Sequence, residues 1–455
     1  MSTNEINKKH YVAIIGGSIS GSEAASILAN NGFRVVVFEM NKLPYGKIED
    51  GLPSWHINLR NRQINEINSK LNHPNIQFIP NTKIGEDIEF EDLVKNWGFS
   101  AIILANGAWN DRLLPIPNAD KFRDKELVYQ NEFIYWFNHK HEPSFEGKNF
   151  FIKNNTVVFG GGLASLDVVK IVMIELVKKQ LYFKKDIDID IFTIEKKGID
   201  VILEENNCTL ATLEIEPAKL VYRRSAREMP LKSPKDQTQE KIEAAKDVSE
   251  KLLNKYVEKY LFEFIPLSIP KEFVIKNQKL NGVILQKNKS YNGKLIPQNE
   301  FKTINTEMVI SSIGSIPEQI EGLEYDYAAL KMKGEDDYRV YGFNNVFAIG
   351  NAVTGRGNIQ ESKQHGKRMT QKIIDVDLTE DEFEKWLTSV NGEISSNVNK
   401  QMGDIVLEIS KQQIQPETII QQIAKKTKII HKKYNYKNYL DWVQRNLPIR
   451  LEEMI

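Results

Sequence analysis

The chain has 455 residues, enough for about three average domains or two large ones. Its 61 basic and 61 acidic residues cancel and 41% of residues are hydrophobic, a soluble globular composition that argues against a dedicated nucleic-acid or membrane-surface binder. The single cysteine, Cys208, excludes an intramolecular disulfide, a CxxC redox pair, and a zinc site or iron–sulfur cluster built on four cysteines.

In chain order, Met1 to His10 is polar with no apolar signal core, so a cytoplasmic location is expected. No run approaches the roughly 18 apolar residues of a spanning helix. Tyr11 to Ile15 is a continuous apolar run suited to a buried parallel strand. A turn follows, Gly16-Gly17-Ser18-Ile19-Ser20-Gly21, then a helical pattern over Ser22 to Asn31. Arg34 to Phe38 is a second strand ending in Glu39. Ala101 to Leu104 reads as a further strand, and His139 to Asn149, with Pro143, Ser144 and Gly147, as a connection. A second such unit starts near residue 156: Thr156 to Phe159 leads into Gly160-Gly161-Gly162-Leu163-Ala164-Ser165 and a helix to about Lys178. Strands are expected at Lys219 to Tyr222, Gly282 to Gln286 and Met308 to Ser312, and an amphipathic helix over Gln239 to Tyr260. From about Thr379 onward the patterns are helical and charged, with no glycine turn, and read as a helical appendage.

The fingerprint G-x-G-x-x-G needs one glycine for the tight turn, one for close approach to pyrophosphate and one for helix–strand packing. Gly16 and Gly21 fill the first and third positions, and Ser18 stands at the second. Glu39, 23 residues after Gly16, ends the next strand, where an acid binds ribose hydroxyls. In the second unit Gly160 and Gly162 fit, and Ser165 replaces the third glycine with another small residue. The strand at Lys219 runs into Arg223 and Arg224 instead of an acid. Arginines suit a 2′-phosphate. A charge-assisted hydrogen bond contributes roughly 1.5–3 kcal/mol, so one such contact would favour NADPH over NADH by about 10- to 150-fold. Arg223 lies 63 residues beyond Gly160, which requires a long insertion before that strand. Two surface arginines are the alternative reading.

With these residues in view, the chain resembles the adrenodoxin-reductase-type ferredoxin–NADP reductases and their relatives, the NADPH-handling small subunits of glutamate synthase. The resemblance covers most of the first 370 residues. It rests on the first turn with Glu39, on Leu43 to Lys47 with Gly51 to His56, on Leu104-Ala105-Asn106-Gly107-Ala108, and on Gly160 to Asp167. Arg223-Arg224 with Glu228, and Ile349-Gly350-Asn351 with Gly355 to Ile359, complete it. It implies an α/β protein with two Rossmann-like dinucleotide-binding domains. A discontinuous FAD domain would occupy residues 1–125 and 326–378, an inserted NADPH domain 126–325, and a helical C-terminal extension 379–455.

The resemblance further implies FAD contacts from Gly16, Ser18, Gly21, Glu39, Gly46, Gly107, Gly350, Asn351, Gly357 and Ile359. NADP(H) contacts would come from Gly160, Gly162, Ser165, Arg223, Arg224 and Glu228. Family members pass a hydride from nicotinamide to flavin and release electrons to an acceptor, here a ferredoxin-like carrier or a larger electron-accepting subunit. His56 and Asp167 match the histidine and aspartate near the flavin–nicotinamide meeting point and are the catalytic candidates. A histidine titrates near neutrality and can pass a proton. For Asp167, early in its helix, a carboxylate favoured by the helix dipole is an equal alternative. Departures are Ser18 for glycine, Asn106 for a common threonine, and Asn351 for a frequent aspartate. Without a thiol pair or cluster ligands, electrons would leave directly from the flavin. A glutamate-synthase-like NADPH-input subunit and a non-catalytic, nucleotide-responsive FAD protein are the rival functions.

Other signals are bland. His139 and His141 have no supporting cluster for a metal, so none is expected. Lys425-Lys426 through Lys432-Lys433, near Tyr434 and Tyr436, reads as a solvated helix face before an acidic-carrier dock. No glycine-flanked serine elbow follows a strand.

Overall fold

The computed structural model describes residues 7–232, 234, 238–291, 293–334, 337–354 and 380–454. Its elements begin with Tyr11–Ile15 (β1), Ile19–Asn30 (α1), Arg34–Phe38 (β2), Lys47–Asp50 (α2), Ile57–Leu71 (α3), Ile76–Ile79 (β3), Phe90–Asn96 (α4) and Ala101–Leu104 (β4). Leu127–Tyr129 (β5), Gln130–His139 (α5), Val157–Gly160 (β6), Leu163–Lys185 (α6), Ile191–Lys197 (α7), Ile199–Glu205 (α8) and Lys219–Val221 (β7) follow. Then come Gln239–Tyr260 (α9), Glu263–Ile265 (β8), Ser268–Lys276 (β9), Lys279–Tyr291 (β10), Lys294–Asn305 (β11) and Val309–Ser312 (β12). Met332–Gly334 (β13), Asp337–Val340 (β14), Val346–Ala348 (β15), Asn351–Thr354 (α10), Glu380–Ser410 (α11), Glu417–Lys433 (α12) and Tyr439–Asn446 (α13) complete them.

Two sheets carry the architecture. The first has the order β13-β14-β15-β4-β1-β2-β3. β1 pairs in parallel with β2 on one side and β4 on the other, so strand order reverses at its C-terminal end, where open α/β sheets bind ligands. The second sheet, β5-β12-β6-β7-β8, is parallel throughout. There β6 lies between β12 and β7, and the same reversal falls at the second glycine turn. Both strands that feed a turn are buried at every residue, which is why they read as continuous apolar runs and not as alternating ones.

The first helix starts at Ile19, three positions before its expected start, directly after the extended Ser18. Its small residues Gly21, Ser22, Ala24 and Ala25 are buried, which lets helix and sheet approach closely. Helix α6 runs past Lys178 to Lys185 because Leu181 is still core, and a left-handed Asp186 closes it. The long interval between Gly160 and Arg223 is filled by α6, α7 and α8, which account for the insertion the sequence required. The expected strand at Gly282 to Gln286 lies inside the longer β10, centre of an antiparallel β9-β10-β11 sheet.

The C-terminal helices are more than an appendage. Val398, Met402, Ile405 and Ile409 of α11 share one core cluster with Val12, Ile14, Ala25 and Leu28. From α12, Ile420 and Ile423 pack with Phe38, Trp97 and Phe99. Gln415 Oε1 accepts the Tyr11 amide at 2.6 Å, tying the chain's end to the start of β1. These helices cover the first unit, and no described helix is long and apolar enough to cross a membrane.

Candidate active site between the two glycine turns

The first turn is built for close approach. Gly16 has φ +97°, and a Cβ there would lie 2.7 Å from the Ala105 carbonyl oxygen. At Gly21 a Cβ would collide with the Gly16 carbonyl oxygen, so the third glycine lets the helix start against the turn. A cleft of about 200 Å³ opens here, lined by Gly16, Ser18, Glu39, Gly46, Asn106 and Trp109, among others. Lys83 and Glu318 meet at 2.8 Å along its wall. Ser18 donates from Oγ to the Tyr45 carbonyl at 3.2 Å and so turns its hydroxyl away from the loop amides. Gly46 and Gly107 both have positive φ. Gly350, also at positive φ, has its Cα so near the Ser20 hydroxyl that a Cβ would clash. The late segment therefore returns to the first turn, with Asn351 opening α10 beside it. Gly357 and Ile359 lie outside the described residues.

Glu39 is the charged floor of that cleft. Its Oε2 accepts the Gly17 amide at 2.9 Å and its Oε1 the Asn41 amide at 3.0 Å. Burial pushes its carboxyl up to about 7, against the lowering effect of those amides.

The second turn differs. A Cβ on Gly160 would strike Ser165 and lie 2.6 Å from the Ser312 carbonyl oxygen, and Gly161 lies directly against the ring of Tyr222. Gly162 has nothing within 4 Å of a built Cβ, so the N-terminus of the 23-residue α6 faces open space. Ser165 donates to the Gly162 carbonyl at 2.5 Å and stabilises the turn from within. Arg223 is exposed, and its guanidinium makes no hydrogen bond or ion pair among the described residues. Arg224 behaves otherwise, contacting Glu228 Oε1 at 3.0 Å and the Gly293 carbonyl at 2.9 Å. Glu228 also accepts from Ser225 and Ser290, so it anchors the arginine loop from behind.

The two units meet at His56 and Asp167. His56 precedes α3 and Asp167 lies in α6, 111 positions further on, yet His56 Nε2 is 3.5 Å from Asp167 Oδ1 with both residues buried. Trp55 Nε1–H donates to the same His56 Nε2 at 3.2 Å. Among the described residues, Asp167 Oδ1 has no hydrogen-bond partner. A buried, unsatisfied carboxylate oxygen is costly, and a ligand carrying an N–H donor would satisfy it. The open Gly162 turn, the cleft at Gly16 and this orphaned oxygen together fit two dinucleotides converging on one place.

Several neighbours carry no local sequence signal. Lys170 forms a 2.5 Å ion pair with Glu195 in the interior beside Asp167. Lys47 donates to Ser315 Oγ at 2.8 Å, and burial pulls its ammonium down to about 8 despite nearby Asp111. Asp111 is itself pushed up to about 6, chiefly by burial. Of the two histidines weighed as metal ligands, His139 is held between Asp50 at 3.0 Å and Glu142 at 2.6 Å, and His141 Nε2 meets the Ile449 carbonyl at 2.9 Å. The lysine run lies on α12, where Lys425, Lys428, Lys432 and Lys433 are exposed and Lys426 reaches the Asn96 carbonyl.

This arrangement defines the class: a two-unit α/β protein with paired dinucleotide-type turns joined at a histidine–aspartate contact. Within that class, residues 10–219 match the family described as pyridine nucleotide-disulphide oxidoreductase, a little under half of the chain. The chain is 28% identical over 206 residues to the NADPH-ferredoxin reductase FprA of Mycobacterium leprae, covering 43% of this chain and 42% of that protein. It thus matches less than half the length of that relative. It is 23% identical over 347 residues to the mitochondrial NADPH:adrenodoxin oxidoreductase of Arabidopsis thaliana, 70% of each chain. A glutamate synthase [NADPH] small chain of Mycobacterium tuberculosis is 34% identical over 134 residues, 29% of this chain and 25% of its own. Among solved structures, Mycobacterium tuberculosis FprA in complex with NADPH superposes with TM-score 0.64 at 18% identity, covering 93% of this chain and 91% of its own. That likeness is one of fold.

Proposed function

We propose that this chain is an FAD-dependent oxidoreductase that takes a hydride from NADPH onto flavin and passes electrons to a ferredoxin-like carrier. The single observation that carries the reading is the His56–Asp167 contact, 3.5 Å across the junction of two separately built dinucleotide turns. Flavin supplies the needed chemistry, since it accepts two electrons together and returns them singly. The relatives named as NADPH-ferredoxin reductase and NADPH:adrenodoxin oxidoreductase support the same direction.

In this reading the discontinuous unit, residues 1–125 and 326–378, holds FAD. Gly16, Ser18 and Gly21 bring backbone amides to its pyrophosphate, Glu39 takes ribose hydroxyls, and Gly46, Gly107, Gly350, Asn351, Gly357 and Ile359 close around it. The inserted unit, 126–325, holds NADP(H) at Gly160, Gly162 and Ser165, with Arg223 free to meet the 2′-phosphate. Arg224 and Glu228 set the shape of that loop. Asp167 Oδ1 accepts from the nicotinamide end, and His56 beside it is the group that can hold or move a proton. The buried wall of Trp55, His56 and Asp167 excludes water from the junction. A cytoplasmic site of action fits a chain with a single cysteine.

A second reading, an NADPH-input subunit feeding a larger partner, rests on the match to a glutamate synthase [NADPH] small chain. Anaerobic stopped-flow mixing of the purified protein with NADPH, and separately with NADH, tests the first. Rapid bleaching of flavin absorbance by NADPH and slow bleaching by NADH are expected, followed by reduction of added ferredoxin. Bleaching without ferredoxin reduction favours the input subunit; a flavin that neither nucleotide bleaches sinks both.

A further inference from the structure

Lys170 lies one helical turn beyond Asp167 on α6 and is 2% exposed. Taking an ammonium out of water costs several kcal/mol even after relaxation, and an apolar residue of similar volume often serves a core equally well. Stability therefore does not by itself account for a charge at this position. Its surroundings do. Lys170 Nζ is 2.5 Å from Glu195 Oε1 and sits over the rings of Trp55 at 4.4 Å, Tyr260 at 5.0 Å and Tyr256 at 5.6 Å. Tyr260 Oη donates to Glu195, within 3.0 Å of its carbonyl and 3.2 Å of Oε1, which fixes the counter-ion. Burial works against the ammonium, but Glu195, the two tyrosines and Asp167 outweigh it and keep Lys170 charged.

The ring nearest to that charge belongs to Trp55, whose indole N–H points at His56 Nε2. His56 Nε2 thus has two alternatives. It can accept from Trp55, with the ring proton on Nδ1, or it can carry the proton and turn it on Asp167 Oδ1, 3.5 Å away. Only the first leaves Asp167 Oδ1 open to a ligand.

We infer that Lys170 is a positioning residue: by holding the Trp55 indole over its ammonium it ties His56 Nε2 to the indole N–H and so keeps the Asp167 carboxylate free for the second dinucleotide. The inference rests on the function proposed above, because that function places NADPH at Asp167. Glu195 and Tyr260 belong to the same device, since they hold the ammonium in place. Loss of the cation weakens the grip on the indole, the His56 proton moves to Nε2, and Asp167 closes on its own histidine.

The test uses FAD-loaded protein with ¹⁵N-labelled histidine; the chain has seven histidines, and His56→Gln assigns the signal. In the wild type, His56 Nε2 gives the resonance of an unprotonated ring nitrogen. In Lys170→Met/Glu195→Gln, which leaves no unpaired charge in the core, the ratio of Nδ1–H to Nε2–H tautomers is expected to fall at least about fivefold, as befits a desolvated cation–π contact. The NADPH dissociation constant rises in parallel, and Lys170→Arg restores both. An unchanged tautomer in the folded double variant overturns the inference. If that variant does not fold, Trp55→Phe keeps a ring over Lys170 and removes the N–H; a wild-type tautomer there overturns it equally. Failure of NADPH to reduce the wild-type flavin would sink the proposed function instead, while the tautomer measurement on the same protein would still stand.

Discussion

Glu39 Oε2 accepts the Gly17 amide at 2.9 Å, so the acid that ends β2 is bonded directly to the turn that follows β1. Strand order reverses at this place, and the bond closes the floor of the cleft. The carboxyl is buried, and among the described residues its partners are backbone amides with no cation among them.

That enclosure has a pH consequence. Burial raises the Glu39 carboxyl from 4.5 to about 7, so the folded state binds the proton more tightly than the unfolded chain does. Stability from this group is complete below about pH 4.5 and declines as pH rises to about 7, by about 3 kcal/mol in all. Urea unfolding of flavin-free protein between pH 5 and 8 should show this decline, and Glu39→Gln should flatten it. The same variant should bind FAD about 10-fold or more weakly, through loss of a charged acceptor for ribose hydroxyls.

The glycines of the two turns are expected to separate folding from binding. Gly21→Ala drives a Cβ into the Gly16 carbonyl oxygen and should cost on the order of 3 kcal/mol in thermal unfolding, with loss of FAD. Gly162→Ala meets open space at an ordinary backbone geometry. Its melting temperature should stay within about 2 °C of wild type, while isothermal titration shows weaker NADPH binding.

Arg223 and Arg224 should not behave alike. Arg223 is exposed and its guanidinium has no partner among the described residues, so Arg223→Ala should lower the preference for NADPH over NADH by about 10- to 150-fold and leave NADH kinetics unchanged. Arg224 holds Glu228 and the Gly293 carbonyl. Arg224→Ala should raise KM for both nucleotides, because the loop itself loosens. Equal effects of the two variants on the NADPH/NADH ratio would remove this distinction.

His139 links the first unit to the connection that follows α5. Burial lowers its pKa, but hydrogen bonds donated to the Asp50 and Glu142 carboxylates outweigh that, and the net direction is upward. A histidine raised in the folded state stabilises fully below the unfolded value near 6.5 and loses that contribution as pH passes its folded value. His139→Gln should therefore lower Tm more at pH 5.5 than at pH 8.5. Charge-assisted hydrogen bonds of about 1.5–3 kcal/mol each set the scale at low pH. A Tm deficit that grows with pH would contradict the assignment.

Much of the fold was legible in local patterns because its elements are specified locally. A buried parallel strand must be continuously apolar, as Tyr11 to Ile15 is. A turn that admits no Cβ must be glycine, as at Gly16 and Gly21. The acid at the end of β2 could be placed by counting along the chain, and so could the pattern of α9 from Gln239 to Tyr260. The longer reach of α6 could not, because Leu181 is held by partners remote in sequence.

What the sequence by itself determined, then, is the pair of strand–turn–helix units and the candidate residues they carry, since spacing of 2 and 3.6 residues and the steric needs of a turn are written in neighbours. Only the tertiary structure brought His56 within 3.5 Å of Asp167, caged Lys170 among Trp55, Tyr256 and Tyr260, and committed Arg224 to Glu228 while leaving Arg223 exposed. It also laid the C-terminal helices over the first sheet's core. Those relationships join side chains from distant segments. They arise from burial, charge pairing and close packing in the assembled fold, which no local periodicity encodes.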